Sequence, residues 1–433
     1  GRFRCRAGSS LRETLAAQHE TRRVTMASGR LIGLVIPAAL IWSTHAAVSA
    51  PAEWTVMAYL SGDGDLEQTA EGYLSRLVQT GATPQVHMVA QIDGGPGAGD
   101  TRRVLIGGPG QVAQTWMLGE VDMGSVRAVA DFVTWARRTF PARRYALLMI
   151  GHGTGVIDLA GEGTSAAAIL RGFGVDESAG DYLSVRELGE ALSAAREDGR
   201  PGLDVVCLDA CLTGAIEIAY ELRDSARYLT CVEGALYHPG APCERALSSL
   251  SRSPDMTPRE FAAEYVREMG AYWKKGEDVS VVGCAVDLSR IGALAGALDD
   301  LAEALMADMP DAAVAVTRAR ARARAFGDGQ QYRDIGSFAT ALAEESDGLP
   351  IVKAALAVKR ALSDAVVATT APAGCPLGPS GGAGGMCAFF PPNLSRFPTE
   401  YSESSAFAAQ TRWGAFLEAY LQHMRGLFEA GTA

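Results

Sequence analysis

One strand, followed by a short loop and a helix, constrains the fold of this chain more than any other feature. Leu203 to Leu208 is a short, mostly apolar and β-branched run, which is typical of a strand buried on both faces of a sheet. From Ala215 to Leu222 the apolar residues recur at helical spacing. Cys211 therefore lies at the carboxyl end of a strand, where open α/β sheets bind their ligands.

Cys211 is the first candidate for chemistry in this loop. The N-terminus of the helix that follows favours negative charge and would therefore favour a thiolate. The alternative is a structural role, because free cysteines are among the most buried residues. We prefer the structural role for Cys207, which lies within the strand.

A second strand ends beside a histidine. Arg144 to Ile150 is another buried-strand pattern, and it runs into the glycine-rich loop Gly151 to Gly155, which contains His152. A thiol needs a nearby base to become a strong nucleophile, and histidine titrates near neutral pH. Two adjacent parallel strands would bring His152 next to Cys211. His238, in a Pro/Gly-rich loop, is the competing candidate for the base.

Helical patterns alternate with apolar strand patterns along the chain, which argues for an α/β fold with a parallel sheet covered on both faces. Of the 433 residues, 48% are hydrophobic, so a large core is available. The predicted strands include 54–60, 86–92, 228–232 and 279–287, with a hairpin of 101–106 and 114–118, and the predicted helices include 125–139 and 258–272.

The motifs around Cys211 and His152 resemble those of the clostripain family of cysteine peptidases. The resemblance rests on Leu-Asp-Ala-Cys-Leu at 208–212, Ile-Gly-His-Gly at 150–153 and the stretch 54–67, with support from 180–188, 334–338 and 385–391. It implies a caspase-like α/β/α sandwich with a mostly parallel central sheet. Alanine-rich helical additions would follow toward the C-terminus.

The resemblance also implies a cysteine endopeptidase that works through a thioester acyl-enzyme. Cys211 would be the nucleophile, His152 the base, and the backbone N–H groups of Gly153 and Cys211 the oxyanion donors. Asp209 would bind the substrate side chain by charge-assisted hydrogen bonds, since family members cleave after Arg and less often after Lys. The alternative is that Asp209 caps the following helix.

Two other functions stay open at this point. The chain could be a caspase-like binding module that has lost activity, or a different thiol amidase that acts on cell-wall peptides. The intact set of Cys211, His152 and Asp209 argues against the binding module, which would need none of them.

The long stretch from Gly155 to Asp181 lacks clear periodicity, and loops of this length are usually functional or disordered. The resemblance implies activation by self-cleavage after a basic residue in this region. Arg171 is the only basic residue there, so we expect it to be the cleavage site.

The first 50 residues are interpreted as processing sequence. Residues 1–25 are polar and arginine-rich, and we expect them to be an upstream segment before a start at Met26. Residues 26–50 have the charged, apolar and small-residue regions of a signal peptide, although an uncleaved anchor is the alternative. We expect a secreted or periplasmic protein without stable membrane association once the signal is removed.

The remaining chain is divided into a catalytic α/β core, 51–287, and a helical extension, 288–433, whose returning strand near 386–390 completes the same domain. Residues 1–50 carry seven Lys/Arg and two Asp/Glu, so their removal leaves a net charge of −16. This charge argues against nucleic acid and for protein or peptide substrates with Arg or Lys at the cleaved position. The arginines of the run Arg318 to Arg324 alternate with alanines and would spread around a helix.

Calcium and disulfides are further expectations. Asp63, Asp65 and Glu67 have a spacing that suits Ca²⁺, and calcium dependence is known in the resembled family. We favour instead the interpretation that Asp65 caps a helix, with Gln68 completing a capping box, because the loop lacks the remaining ligands of an EF-hand. Export permits disulfides, for which Cys231 with Cys243 and Cys375 with Cys387 are candidate pairs that the sequence cannot settle.

Overall fold

A computed structural model describes residues 51–94, 101–156, 173–196, 202–236, 240–272, 281–327, 329–370, 384–398 and 400–431. All of them belong to one compact unit, Ala50–Ala433. The predicted upstream segment and the whole of the predicted signal peptide fall outside the described residues, as do Arg171, His238 and Cys375.

The described residues form strands in two groups, those of the catalytic core and those of the extension. The strands are β1 (Ala52–Gly62), β2 (Val86–Gly94), β3 (Thr101–Ile106), β4 (Val112–Gly119), β5 (Ala142–Ile150), β6 (Phe173–Asp176), β7 (Asp181–Leu183), β8 (Leu203–Asp209), β9 (Ala226–Gly234), β10 (Val281–Asp287), β11 (Ala325–Phe326), β12 (Tyr332–Asp334), β13 (Val366–Thr370) and β14 (Cys387–Phe389).

Helices connect most of the parallel strands and make up most of the extension. The α-helices are α1 (Glu67–Thr80), α2 (Val126–Thr139), α3 (Val185–Ala194), α4 (Ile216–Leu222), α5 (Cys243–Arg252), α6 (Pro258–Tyr272), α7 (Ile291–Ala307), α8 (Met309–Arg322), α9 (Ile335–Glu345), α10 (Leu349–Ala365), α11 (Ala406–Gln410) and α12 (Trp413–Gly431). Ser184 begins α3 with a capping box, in which its hydroxyl accepts the Glu187 N–H while the Glu187 carboxylate accepts the Ser184 N–H.

The main sheet of the described residues has the strand order β13-β10-β9-β8-β5-β1-β2-β3-β4. Its centre, β9-β8-β5-β1-β2, is parallel, and the strands at both edges are antiparallel. Parallel strands need cover on both faces, which is why the central strands are nearly continuous apolar runs. The predicted hairpin at 101–106 and 114–118 is confirmed by β3 and β4.

Alternate residues of each central strand enter two separate cores. On β1, Met57 and Tyr59 pack with α2, α3, α4 and the helices of the extension, whereas Val56 and Leu60 pack with α1, α5 and α6. The molecule is therefore an α/β/α sandwich, as the sequence predicts.

The extension differs from its prediction in two places. The extension was predicted to be helical apart from the returning strand, but β13 also joins the main sheet from it, as an edge strand antiparallel to β10. The predicted returning strand is present as β14, but it pairs with β12 in a separate small sheet. The short strands β11 and β12 had no clear sequence signal because each has only two or three residues.

The extension is joined to the core directly behind the Cys211 loop. The Cys387 N–H donates to the carbonyl oxygen of Gly214 over 3.0 Å. The Glu217 carboxylate, on α4, accepts the Phe389 N–H at 3.0 Å and the Tyr401 hydroxyl at 2.8 Å. Burial raises the pKa of Glu217 to about 7. Through these two hydrogen bonds the Glu217 carboxyl anchors the extension to α4 inside an apolar core.

The structure corrects one suggested disulfide pair. Cys231 and Cys243 belong to the two different cores, on opposite faces of the sheet, so their pairing is wrong. Cys231 instead lies opposite Cys284 on the neighbouring antiparallel strand, with 3.3 Å between the sulfur atoms.

The arginine run on α8 has partners within the fold. Arg318 and Arg322 pair with the carboxylates of Glu344 and Glu345 at the end of α9. The Arg320 guanidinium donates to the carbonyl oxygen of Phe390. In the described part of the chain, no helix is both long and apolar enough to span a bilayer.

Candidate active site

The register of the central strands places His152 and Cys211 at the same end of the sheet, just after the carboxyl ends of β5 and β8. β5 and β8 are parallel neighbours in which Ile150 lies opposite Asp209. His152 and Cys211 each follow two residues after this pair, and neighbouring strands are about 4.8 Å apart. The two predicted residues are therefore brought together by the backbone itself.

The loops after β5 and β8 also touch each other. A Cβ atom added to Gly153 would lie 2.3 Å from the carbonyl oxygen of Cys211 and 3.0 Å from its nitrogen. Only a glycine permits so close an approach of two backbones. Gly153 and Cys211, the predicted oxyanion donors, thus line one small site.

The turn that carries Cys211 is held in an uncommon backbone conformation. Leu212 has a φ of 57°, in the left-handed region that non-glycine residues rarely adopt. Its N–H donates to the carbonyl oxygen of Gly234 over 2.8 Å, and the Thr213 hydroxyl accepts the Val232 N–H at 3.1 Å. Strain of this kind persists where neighbouring contacts enforce it, and here β9 provides them.

The sulfur of Cys211 is in contact with the segment that follows β9. The backbone N–H of Leu236 donates to Sγ over 3.3 Å, and the thiol donates to the carbonyl oxygen of Leu236 over 3.7 Å. Cys211 itself is half-buried, whereas Cys207 and Cys243 are fully buried and burial raises the pKa of both thiols. Of these three thiols, that of Cys211 is therefore the most accessible to solvent.

His152 has a carboxylate partner that the sequence did not indicate. Its Nε2 lies 2.6 Å from Oδ1 of Asp65, in the short turn between β1 and α1. The prediction that Asp65 caps a helix is wrong for α1, because the residue before this helix is Leu66 and it makes no side-chain cap.

Asp209 lies on the other face of β8 from the apolar cavity beside Cys211. Its Oδ2 accepts the hydroxyl of Tyr265 at 2.8 Å and the hydroxyl of Tyr73. Burial raises the pKa of Asp209 to about 6. Within the described residues no group donates to Oδ1. The capping alternative for Asp209 is wrong, because α4 begins at Ile216 and is preceded by Ala215 without a side-chain cap.

A groove of about 370 Å³ begins at Thr154 and Gly155, next to the His152 loop. Its walls carry groups of both charges, with Arg186 on α3 and the carboxylates of Glu400 and Glu403 from the extension. A smaller, apolar cavity joins the same two loop residues to Cys211. Extended polypeptide has room to lie along this side of the site.

The expected calcium ligands do not converge as a set. Asp63 forms a buried cluster with Asp93 and Asp176, whose carboxylate oxygens lie within 4.8 Å of one another, while Asp65 turns to His152. Burial raises the pKa of Asp93 to about 6. Three buried carboxylates in one place repel each other unless protons or a cation compensate.

The surroundings of this cluster fit a hard cation. Among the described residues the buried hydroxyl of Ser61 has no hydrogen-bond partner, and Ser61 lies opposite Asp93 on the neighbouring strand. Carboxylate and hydroxyl oxygens are donors that Ca²⁺ accepts. Asp93 and Asp176 were missed because they are distant from Asp63 in the sequence.

Comparison with known proteins gives consistent results. The sequence pattern of the clostripain family matches residues 58–420. Clostripain of Hathewaya histolytica is 22% identical over 215 residues, which cover 43% of this chain and 40% of that protein. The match thus spans less than half of that relative's length.

Two solved structures are similar to nearly the whole described chain. A secreted C11 cysteine protease of Bacteroides thetaiotaomicron, bound to an irreversible peptide inhibitor, has a TM-score of 0.60 at 19% identity and covers 84% of this chain and 100% of its own. An inactive zymogen C11 protease of Parabacteroides distasonis has a TM-score of 0.61 at 14% identity and covers 86% and 99%. The predicted caspase-like fold is confirmed.

The contact at Gly153 gives a testable prediction. Gly153→Ala forces the His152 and Cys211 loops apart, and a displacement of about 1 Å in such a site costs on the order of 10²-fold in rate. We expect alkylation of Cys211 by iodoacetamide, followed by mass spectrometry, to slow by at least about tenfold.

The matched control is Gly292→Ala on α7, where an added Cβ meets no atom within 4 Å. We expect this variant to alkylate at the wild-type rate. An unchanged rate in Gly153→Ala, with unchanged thermal stability, would contradict the close approach of the two loops.

Proposed function

The chain belongs to the clostripain family of cysteine peptidases, and we propose that it is an endopeptidase that hydrolyses peptide bonds after Arg or Lys. The observation that supports this proposal is the register of β5 and β8, which sets the His152 loop beside the Cys211 loop. The close approach of Gly153 to the Cys211 backbone adds candidate donors for an oxyanion.

In the proposed reaction, His152 takes the thiol proton of Cys211 and the thiolate attacks the scissile carbonyl carbon. The backbone N–H groups of Gly153 and Cys211 stabilise the resulting oxyanion. Collapse of the tetrahedral intermediate breaks the C–N bond, and the leaving amine receives the proton held by His152. Water, deprotonated by His152, then cleaves the thioester and the proton returns to Cys211.

Asp209 is the proposed recognition site for the Arg or Lys side chain. Both tyrosine hydroxyls that hold Asp209 bind Oδ2, and Oδ1 accepts from none of the described residues. Oδ1 is therefore available to a guanidinium or ammonium group, which forms a charge-assisted hydrogen bond with a carboxylate. The charged form of Asp209 is required for this pairing.

Export and self-processing complete the proposal. We propose that residues 26–50 direct the protein to the periplasm or the medium, and that cleavage after Arg171 accompanies activation. Both segments lie outside the described residues. The support comes from the sequence pattern and from the zymogen form of one structural relative.

We propose calcium as a structural ligand of Asp63, Asp93 and Asp176. These residues link the ends of β1, β2 and β6, so a cation there would fasten three strands beside the active site. No step of the proposed chemistry passes through this ion.

The function is tested with a fluorogenic Arg-amide peptide. We expect wild-type protein to release the fluorophore, and Cys211→Ala and His152→Ala to lose several orders of magnitude in kcat/KM, because each removes an essential member of the dyad. Mass spectrometry of the same samples should find the chain cut after Arg171 in the wild type and intact in Cys211→Ala.

Hydrolysis that persists in Cys211→Ala would overturn the proposed mechanism. Turnover of a cell-wall peptide in place of the Arg-amide would favour a thiol amidase, and the absence of any turnover would favour a binding module. An intact Arg171–Gly172 bond in fully active enzyme would exclude that processing site.

A second prediction concerns the charge on Asp209. Its raised pKa of about 6 means that the carboxylate is ionised above that pH and neutral below it. We therefore expect kcat/KM for the Arg-amide to fall as the pH drops through 6, and Asp209→Asn to lose about 10- to 100-fold at pH 8. Alkylation of Cys211 by iodoacetamide in Asp209→Asn should keep the wild-type rate, and unchanged Arg preference in this variant would disprove the assignment.

The calcium site predicts a stability effect. Millimolar CaCl₂ should raise the Tm of wild-type protein by several degrees, because a ligand that binds only the folded state stabilises it by mass action. Asp93→Asn should lose this shift, whereas Asp131→Asn, at an exposed position on α2, should keep it. An equal shift in both variants, or none in the wild type, would exclude calcium at this cluster.

A further inference from the structure

We propose that Asp65 is a positioning residue that holds the His152 imidazole in the orientation and tautomer needed for catalysis. This inference rests on the proposed Cys211–His152 dyad and adds a third residue to it. The sequence alone offered no persuasive third member.

The geometry places the three residues in the loops that follow three neighbouring strands of the sheet. Leu60, Ile150 and Asp209 lie opposite one another on β1, β5 and β8. Beyond this row the strands lead to Asp65, His152 and Cys211, so the histidine emerges between the carboxylate and the thiol. The 2.6 Å separation of Nε2 from Oδ1 of Asp65 is that of a charge-assisted hydrogen bond.

This hydrogen bond fixes the roles of the two ring nitrogens. A carboxylate can only accept, so the neutral imidazole carries its proton on Nε2 and donates it to Asp65. Nδ1 is then the unprotonated nitrogen, and it is the atom that receives the Cys211 proton. The opposite tautomer would place a proton where the base must accept one.

The turn that carries Asp65 is itself anchored. The neighbouring Asp63 carboxylate accepts the Ser178 N–H at 2.6 Å. Gly64, between the two aspartates, has a φ of +82°, and a Cβ there would collide with the Glu177 side chain. Contacts of Asp63 and Gly64 with the turn after β6 therefore restrain the backbone that carries Asp65.

Exposure limits what Asp65 contributes through charge. Its side chain is 75% exposed, against 25% for His152, and exposed ion pairs are weak because water screens them. The main contribution of Asp65 is therefore orientation of the ring, which solvent does not screen. If the contact between Asp65 and His152 were incidental, removal of the Asp65 carboxylate would leave catalysis unchanged. The experiment therefore measures catalysis after this carboxylate is removed.

The test compares Asp65→Ala and Asp65→Asn with Asp255→Ala. Asp255 is an exposed aspartate next to Pro254. The carbonyl oxygen of Pro254 accepts a hydrogen bond from Arg144 near the amino end of β5, whereas the candidate active site lies at the carboxyl end of that strand. For Asp65→Ala we expect kcat on the Arg-amide to fall about 10- to 100-fold with KM changed less than about threefold, as for other residues that orient a reactive histidine. Asp65→Asn should lose less, because its amide oxygen still accepts from Nε2.

Two further readouts separate positioning from a loss of structure. Iodoacetamide should alkylate Cys211 more slowly in Asp65→Ala, and more slowly than in Asp255→Ala, at equal thermal stability. In the Cys211→Ala background, ¹⁵N NMR of the His152 ring should find the proton on Nε2, and Asp65→Ala should abolish that preference.

The outcomes distinguish this inference from the proposed function. If Cys211→Ala retains hydrolysis, the dyad itself is wrong. If Cys211→Ala and His152→Ala are inactive but Asp65→Ala keeps kcat within about twofold of wild type, or leaves the His152 tautomer unchanged, the positioning role of Asp65 is overturned and the dyad stands.

Discussion

The alignment of parallel strands is the constraint on which the rest of this structure depends. One row across β1, β5 and β8 consists of Leu60, Ile150 and Asp209. The groups proposed to carry out the reaction lie in the loops just beyond this row. Because side chains alternate along a strand, a slip of one residue in any of these strands would turn its apolar residues out of their core. The two hydrophobic cores therefore fix the position of the active site as firmly as they fix the fold.

Buried carboxyl groups lie behind the loops around this row, and burial raises the pKa of each of them. Burial raises the pKa of Asp334, and the N–H groups of Ser337 and Gly384, which its carboxylate accepts at 2.6 Å each, oppose this rise. Burial, and after it the proximity of Asp334, raise the pKa of Glu233 well above its usual range. Glu233 lies next to Gly234, which binds the Leu212 N–H. Apolar packing and buried polar anchors thus act on the same turn.

The sequence predicted the features that depend on local pattern. Apolar runs marked the central strands, and the loops after β5 and β8 pointed to His152 and Cys211 before any contact was known. What it could not predict depends on contacts between distant residues. The hydrogen bond of Asp65 to His152 spans 87 positions. The alanine-rich extension was predicted to be helical apart from one returning strand, and it did not reveal β13, whose pairing with β10 overrides local helix propensity.

The acidic turn after β1 explains why spacing alone was a poor guide to the metal site. In the sequence, Asp63, Asp65 and Glu67 look like one set of ligands. In the structure Gly64 takes a positive φ and separates the first two, so that Asp63 joins Asp93 and Asp176 while Asp65 reaches His152. One short turn therefore serves two different sites, one on each side of its glycine. A cation bound by the Asp63 cluster would stiffen the turn that carries Asp65, and Asp65 orients His152. The proposed calcium ion would thus affect catalysis although it does not touch the reacting atoms.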